Sequence, residues 1–191
     1  MKKVSLLCIF ICFLLCQGSR LYDFHGRTNK STRIHKQEKI YREDIKEKAF
    51  DIAVKFVNSE TEYKKGKSGK DNSPFDCSGL VIRCYYDAVK GTRFKLPFKF
   101  TENTHPSAET LYERYVIHTE KPEKGDLIFL NYDRNNSKKV KHVGIFDSYD
   151  KEGYVHFIDA TDYEGYDKVV DYRKIKRNDK AIIGYGILKI R

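Results

Sequence analysis

The spacing of apolar residues changes along this chain of 191 residues, and the change limits the folds that it can adopt. In the segments 43–58 and 77–89, apolar residues recur every three or four positions, which is typical of helices with one buried face. After Gly125 they form short runs separated by charges and turn residues, which is typical of strands. This order predicts an α+β domain, in which N-terminal helices pack on a C-terminal antiparallel sheet of five or six strands.

Three helices and five strands make up this prediction. The helices are expected over residues 43–58, from Cys77 to Val89, and from a cap at Ser107 through Tyr115. The polar segment 60–73, rich in glycine and lysine, is predicted to be a loop beside the start of the second helix. The predicted strands are residues 126–131, 141–149, 154–161, 167–172 and 181–190.

Residues 1–18 have the pattern of a signal peptide. The chain begins MKK, continues with apolar residues from Val4 to Cys16, and reaches the small residue Gly18. The apolar stretch is shorter than the roughly 20 residues that a membrane-spanning helix needs. We therefore expect export to the periplasm, cell envelope or medium. Lipid attachment at Cys16 and an uncleaved N-terminal anchor are the alternatives, although bulky Leu15 is a poor match for a lipidation site.

Residues 19–40 are predicted to be a flexible basic linker, followed by one domain over residues 41–191. The formal net charge of +10 falls by two, to +8, if Lys2 and Lys3 leave with the signal peptide. A basic exported chain is expected to meet an anionic envelope surface rather than nucleic acid, although solubility alone would also explain the charge. We expect the protein to be a monomer.

Two of the five cysteines, Cys77 and Cys84, lie outside the predicted signal peptide. Seven positions along a helix separate their Cα atoms by about 10 Å, beyond the ~7 Å limit of a disulfide. We expect Cys84 to be a small core residue. Cys77 lies at the helix start, where backbone N–H groups and the helix dipole stabilise a thiolate. That position suits a nucleophile, although a structural cysteine can occupy it too.

A nucleophilic cysteine needs a base, and His142 is the best candidate. It opens the predicted strand HVGIF beside Gly144, where a small residue lets another segment approach the backbone. A cysteine with such a base requires neither a metal nor a cofactor. A metal site built from His142, His156 and Asp159 is not expected, because His156 and Asp159 are three residues apart on one strand and face opposite sides. The histidines predicted to be ordinary surface residues are His25, His35, His105 and His118.

Three segments together resemble the NlpC family of papain-like cell-wall cysteine peptidases. They are FDCSGLV at residues 75–81, GDLIF at 125–129 and HVGI at 142–145, and the likeness extends from near Tyr41 to the C-terminus. The resemblance implies that Cys77 attacks an amide bond in the peptide stem of peptidoglycan, typically the bond that follows D-glutamate. It implies that His142 acts as the base.

The resemblance also implies a third catalytic residue. Members of the family commonly have histidine in a strand that reads like FIHAS, and the matching segment here is FIDAT, which places Asp159 at that position. A carboxylate can accept a hydrogen bond from His142 and stabilise its charged form. His156 is the alternative third residue.

Three further residues match family positions that bind the peptide stem: Tyr63, Asp76 and Ser78. Asp76 and Ser78 could instead cap the helix that starts at Cys77. The loop departs from the family pattern, because its glycines at positions 66 and 69 are not adjacent. Two other functions therefore stay open: a cell-wall-binding module without turnover, and an amidase or transpeptidase that uses the same Cys-His pair.

Overall fold

The computed structural model describes residues 42–57, 59–69, 74–101, 103–133, 138–162 and 168–191. The predicted signal peptide and linker, with Cys16, His25 and His35, lie outside these residues. Residues 43–191 form one compact unit, and the domain boundary at residue 41 stays a prediction. Within the described ranges, no helix has the length and apolar character needed to cross a membrane.

The helices precede the strands, as the apolar spacing predicts. Helix α1 is described over residues 42–57, and helix α2 spans Cys77–Val89. The side chain of Ser107 accepts a hydrogen bond from the Thr110 N–H and caps helix α3, Ala108–Thr110, which continues as a π-helix over Leu111–Tyr115. Helix α1 buries one face at every third or fourth position, through Ile45, Ala49, Phe50, Ala53 and Val57.

The described residues form six strands in one antiparallel sheet, in the order β1-β6-β2-β3-β4-β5, which confirms the predicted α+β fold class. The strands are β1 Val116–Thr119, β2 Leu127–Leu130, β3 His142–Tyr149, β4 Tyr154–Ala160, β5 Val170–Lys176 and β6 Ile182–Leu188.

The two edge strands differ most from the prediction. Strand β1 was not predicted, because two of its four residues, Ile117 and His118, are exposed and the buried pattern is too short to recognise. Strand β5 continues to Lys176, beyond the predicted end at Tyr172. Its second half alternates charged exposed residues with partly buried ones, as edge strands often do.

The main core lies between the helices and one face of the sheet. Leu80, Val81 and Tyr85 of α2 pack in one cluster with Val143 of β3 and Ile158 of β4. A smaller cluster covers the other face of the central strands and consists of Ile128, Leu130, Phe146, Val155 and Phe157. Strands β2 to β4 lie between these two clusters, and the main cluster holds β3 and β4 beside α2.

A buried ion pair joins helix α1 to the turn before β2. The Lys46 ammonium lies 3.3 Å from the Asp126 carboxylate, and the two residues are only 5% and 1% exposed. Glu43 and Glu123 also contact Lys46, at 2.7 and 2.9 Å. Burial lowers the pKa of Lys46, but these carboxylates outweigh that effect and raise it. The aspartate of GDLIF thus has a structural role, since it ties a helix to the sheet.

Lys46→Met should lower the free energy of unfolding by about 3 kcal/mol at pH 7, because it leaves the buried Asp126 carboxylate without its cation. Urea denaturation followed by circular dichroism measures the change. Lys48→Met, at an exposed position of the same helix, is the matched control and should change stability by less than about 0.5 kcal/mol. Equal stability of the two variants would show that the ion pair does not support the fold.

Candidate active site

Helix α2 starts at Cys77 because Asp76 caps it. The Asp76 carboxylate accepts hydrogen bonds from the Gly79 N–H, the Ser78 hydroxyl and the Gly66 N–H, each at 2.8 Å. Burial opposes the charged form of Asp76, but a contact with His105 and these hydrogen bonds outweigh burial and lower its pKa. The cap fixes the position of the Cys77 side chain at the positive end of the helix dipole.

The loop before α2 packs directly against this helix start. The Asp76 N–H donates to the Lys67 carbonyl at 3.0 Å, and Tyr63 forms an isolated bridge with Phe75. A Cβ atom at position 79 would lie 2.3 Å from the Lys67 carbonyl oxygen. The glycine of DCSGL is therefore required for the loop to approach the helix so closely.

His142, the first residue of β3, contacts Asp159 on β4. The imidazole Nε2 lies 2.7 Å from the Asp159 Oδ2, and the two side chains are 8% and 2% exposed. Gly144 makes room for this contact, because a Cβ atom there would lie 2.9 Å from the Ile158 carbonyl oxygen and 3.3 Å from the Asp159 Cβ. The glycine of HVGI thus lets β4 carry the carboxylate up to the imidazole.

Cys77 is the second hydrogen-bond partner of His142. Since Nε2 faces Asp159, the other ring nitrogen, Nδ1, is the one available to the thiol. Burial disfavours the charged imidazole, but hydrogen bonds and charge interactions with Asp159 and Cys77 outweigh it and raise the pKa of His142 to about 10. A charged imidazole beside a sulfur at a helix start is an arrangement in which a cysteine can serve as a nucleophile.

The other free cysteine, Cys84, and the alternative third residue, His156, do not contact His142. His156 Nε2 lies 2.7 Å from the Asp150 carboxylate, so the structure brings Asp159 and not His156 to His142. Cys84 is free and fully buried in the core, and burial raises the pKa of its thiol. No group of three or more His, Cys, Asp or Glu side chains in the described part of the chain is placed to hold a metal.

The burial of His105 differs from the sequence prediction. It was expected to be an ordinary surface residue, but its side chain is only 5% exposed and its Nε2 lies 3.2 Å from the Asp76 Oδ1. The irregular segment before α3 has no periodicity that would indicate burial, so the contact depends entirely on tertiary packing. His118 is exposed, as predicted, and its ring contacts Tyr112 at a centroid distance of 4.4 Å.

The motifs and the fold match one family. The model of the NlpC/P60 family matches residues 60–177. Among solved structures, NlpC2 from Trichomonas vaginalis is 23% identical with a TM-score of 0.51, over 76% of this chain and 47% of that one. At this identity the likeness shows the fold.

Two further solved structures are less similar. NlpC1 from T. vaginalis is 23% identical with a TM-score of 0.48, over 76% of this chain and 44% of that one. A Staphylococcus aureus protein described as similar to a lipoprotein of the NLP/P60 family is 22% identical with a TM-score of 0.46, over 76% and 42%. The chain spans less than half the length of these three solved chains. No curated protein matches it.

Under the activity that the family resemblance implies, Asp159→Asn should lower the rate of peptidoglycan cleavage by about 10³–10⁴-fold, because the amide can no longer hold His142 in its charged, correctly oriented form. The rate is measured as amino groups released from purified peptidoglycan. Asp150→Asn, which removes the carboxylate beside His156 on the same hairpin, is the matched control and should keep the rate within about twofold. Equal losses in the two variants would contradict the assignment of Asp159.

Proposed function

Because the chain belongs to the NlpC/P60 family, we propose that it is an exported cysteine peptidase that hydrolyses an amide bond in the peptide stem of peptidoglycan. One observation supports this function above all. The capped start of α2 carries a free cysteine that is a hydrogen-bond partner of His142, and the carboxylate of Asp159 lies 2.7 Å from the same imidazole. In this proposal α2 supplies the nucleophile, β3 the base and β4 the orienting carboxylate.

The reaction starts from a thiolate on Cys77 and a charged imidazole on His142. The sulfur attacks the carbonyl carbon of the stem amide, and the C=O electron pair moves to the oxygen. When the tetrahedral intermediate collapses, the C–N bond breaks and the proton of His142 passes to the departing amine, which leaves a thioester on Cys77. The neutral imidazole then takes a proton from water, whose oxygen attacks the thioester. Breakage of the C–S bond releases the acid and restores the thiolate.

The start of α2 also supplies donors for the oxyanion. A helix start leaves four N–H groups outside the intrahelical hydrogen bonds. Here the Asp76 N–H donates to the Lys67 carbonyl, and the Gly79 N–H donates to the Asp76 carboxylate. The N–H groups of Cys77 and Ser78 lie between them, beside the attacking sulfur, and we assign them to the developing negative charge.

The substrate roles of Tyr63, Asp76 and Ser78 are part of the proposal. All three lie in the loop and helix start that surround Cys77, and a buried carboxylate such as Asp76 suits a positively charged amino end of the stem. The contacts of Asp76 and Ser78 with each other also cap the helix. Capping and binding are compatible, because a carboxylate oxygen can accept more than one hydrogen bond.

The cellular setting of the proposal follows from residues outside the described ranges. A signal peptide over residues 1–18 exports the chain to the envelope, and the basic linker over residues 19–40 brings it to an anionic surface. The reaction needs no metal or cofactor, and its partner is the peptide stem. A single copy of the chain contains every residue that the mechanism uses.

Cys77→Ala should abolish the release of stem fragments from purified peptidoglycan, because no other group in the site can form the thioester. Mass spectrometry identifies the fragments and the bond that is cut. Cys84→Ala is the matched control, which removes the other free thiol. It should retain cleavage while losing about 1 kcal/mol of stability, since it opens a small cavity in the core.

The same fragments distinguish the alternative functions. Cleavage between the sugar and the first stem residue would indicate an amidase, and transfer of the stem to an added amine would indicate a transpeptidase. Retention on the wall without any product from the unmodified protein would indicate a binding module. Cleavage by Cys77→Ala at the unmodified rate would end the proposed mechanism.

A further inference from the structure

Arg173 of strand β5 contacts the carboxylate of Asp159. Its Nε lies 3.3 Å from the Asp159 Oδ1, whereas the Oδ2 of the same carboxylate faces His142 at 2.7 Å. The two oxygens of this carboxylate are therefore contacted by two different cationic groups. Sequence reasoning missed Arg173, because it lies in a run of charged residues typical of a solvent-exposed edge strand.

The guanidinium of Arg173 is itself held in place. Its Nη1 lies 3.2 Å from the Asp171 carboxylate, and its Nη2 donates to the Lys168 carbonyl at 2.9 Å. In the β4–β5 register, Asp159 is opposite Asp171, and Arg173 is opposite Phe157, so the arginine reaches diagonally across the pair. The Arg173 side chain is only 9% exposed, which is unusual for an edge-strand arginine and indicates a specific partner.

The proton balance of the proposed reaction explains why a second cation is needed. While His142 is charged, it compensates the buried negative charge of Asp159. When His142 gives its proton to the departing amine, that compensation disappears at the moment when the orientation of the imidazole matters most. Arginine stays charged throughout, because it does not lose its proton in proteins. An uncompensated buried carboxylate would otherwise be costly at this step.

We propose that Arg173 is a positioning residue, which keeps the Asp159 carboxylate charged and turned toward His142 while the imidazole loses and regains its proton. This inference rests on the proposed cysteine-peptidase function. The charged groups described around the carboxylate are His142 from β3, Arg173 and Asp171 from β5, and Cys77 from α2 through the imidazole. Arg173 touches neither the sulfur nor the substrate in this mechanism and acts only through Asp159.

The test measures two pH profiles on the full-length protein and its variants. One is the alkylation rate of Cys77 by iodoacetamide, with the modified peptide identified by mass spectrometry. The other is kcat and KM for stem cleavage in soluble peptidoglycan fragments. Arg173→Gln should move the acid limb of both profiles to higher pH by about one unit, because the loss of a nearby positive charge disfavours the ionised Cys77–His142–Asp159 group. In cleavage, kcat should fall about tenfold near the original midpoint while KM stays within about twofold.

The controls separate positioning from a merely structural role. Lys174→Gln makes the same charge change at the next residue, whose ammonium lies over the Tyr154 ring, and should leave both profiles unchanged. Arg173→Lys restores the charge and should return the acid limb to that of the unmodified protein. Arg173→Met removes the charge and keeps an apolar side chain of similar length in the buried site. If only one of the Gln and Met variants folds, the pH profiles of that variant are the ones compared with the unmodified protein.

If Arg173→Gln and Arg173→Met have the same acid limb as the unmodified protein, the proposed role of Arg173 is wrong. A shift that Arg173→Lys fails to reverse would also overturn it, since a charge effect must return with the charge. If the unmodified protein releases no stem fragments, the proposed function fails separately. Even then, the alkylation profile does not depend on cleavage, so it still shows whether Arg173 acts on the Cys77–His142–Asp159 group.

Discussion

The buried contact between His142 and Asp159 is the interaction on which the rest of the site depends. An imidazole that is almost inaccessible to water would ordinarily be neutral, because burial penalises its charged form. The Asp159 carboxylate at 2.7 Å, together with Cys77, reverses that preference and raises the pKa of His142 to about 10. The sheet supports the contact in two ways. Gly144 lacks the side chain that would keep β4 away, and the antiparallel pairing of β3 with β4 places Asp159 beside the start of β3.

Cys77, the proposed nucleophile, lies beside this pair but belongs to a different part of the fold. Asp76 fixes the start of α2, and the loop carrying Lys67 packs against Gly79, so the position of Cys77 follows from local contacts. Helix α2 is in turn tied to the sheet, because the Tyr85 hydroxyl donates to the Gly125 carbonyl at 2.6 Å, one residue before the Asp126 that pairs with Lys46. The three motifs that mark the family thus have different structural roles: one carries the Cys77 sulfur, one joins the helices to the sheet, and one carries His142.

Local patterns were predictable from sequence, and contacts between distant segments were not. The bounds of α2 follow from its cap and apolar spacing, and β2 to β4 follow from short apolar runs. Asp159 could be aligned only through the FIDAT resemblance, which gives its register but not its distance from His142. The burial of His105 and the placement of Arg173 depend on how separate segments pack, and neither lies in a periodic buried pattern. Strand β1 was missed because an exposed edge strand of four residues has too few buried positions to recognise.

A raised pKa for His142 also has a consequence for stability. Charged His142 stabilises the folded chain fully below the ordinary histidine pKa of about 6.5, and this contribution is lost as pH rises toward about 10.

Nitrogen-15 NMR of the His142 imidazole in the intact protein, followed from pH 5 to 11, tests the central claim most directly. We expect the imidazole to stay charged through neutral pH and to titrate near the upper end of that range. A midpoint near 6.5, as for a solvent-exposed histidine, would show that Asp159 and Cys77 do not hold the charge, and would contradict the account.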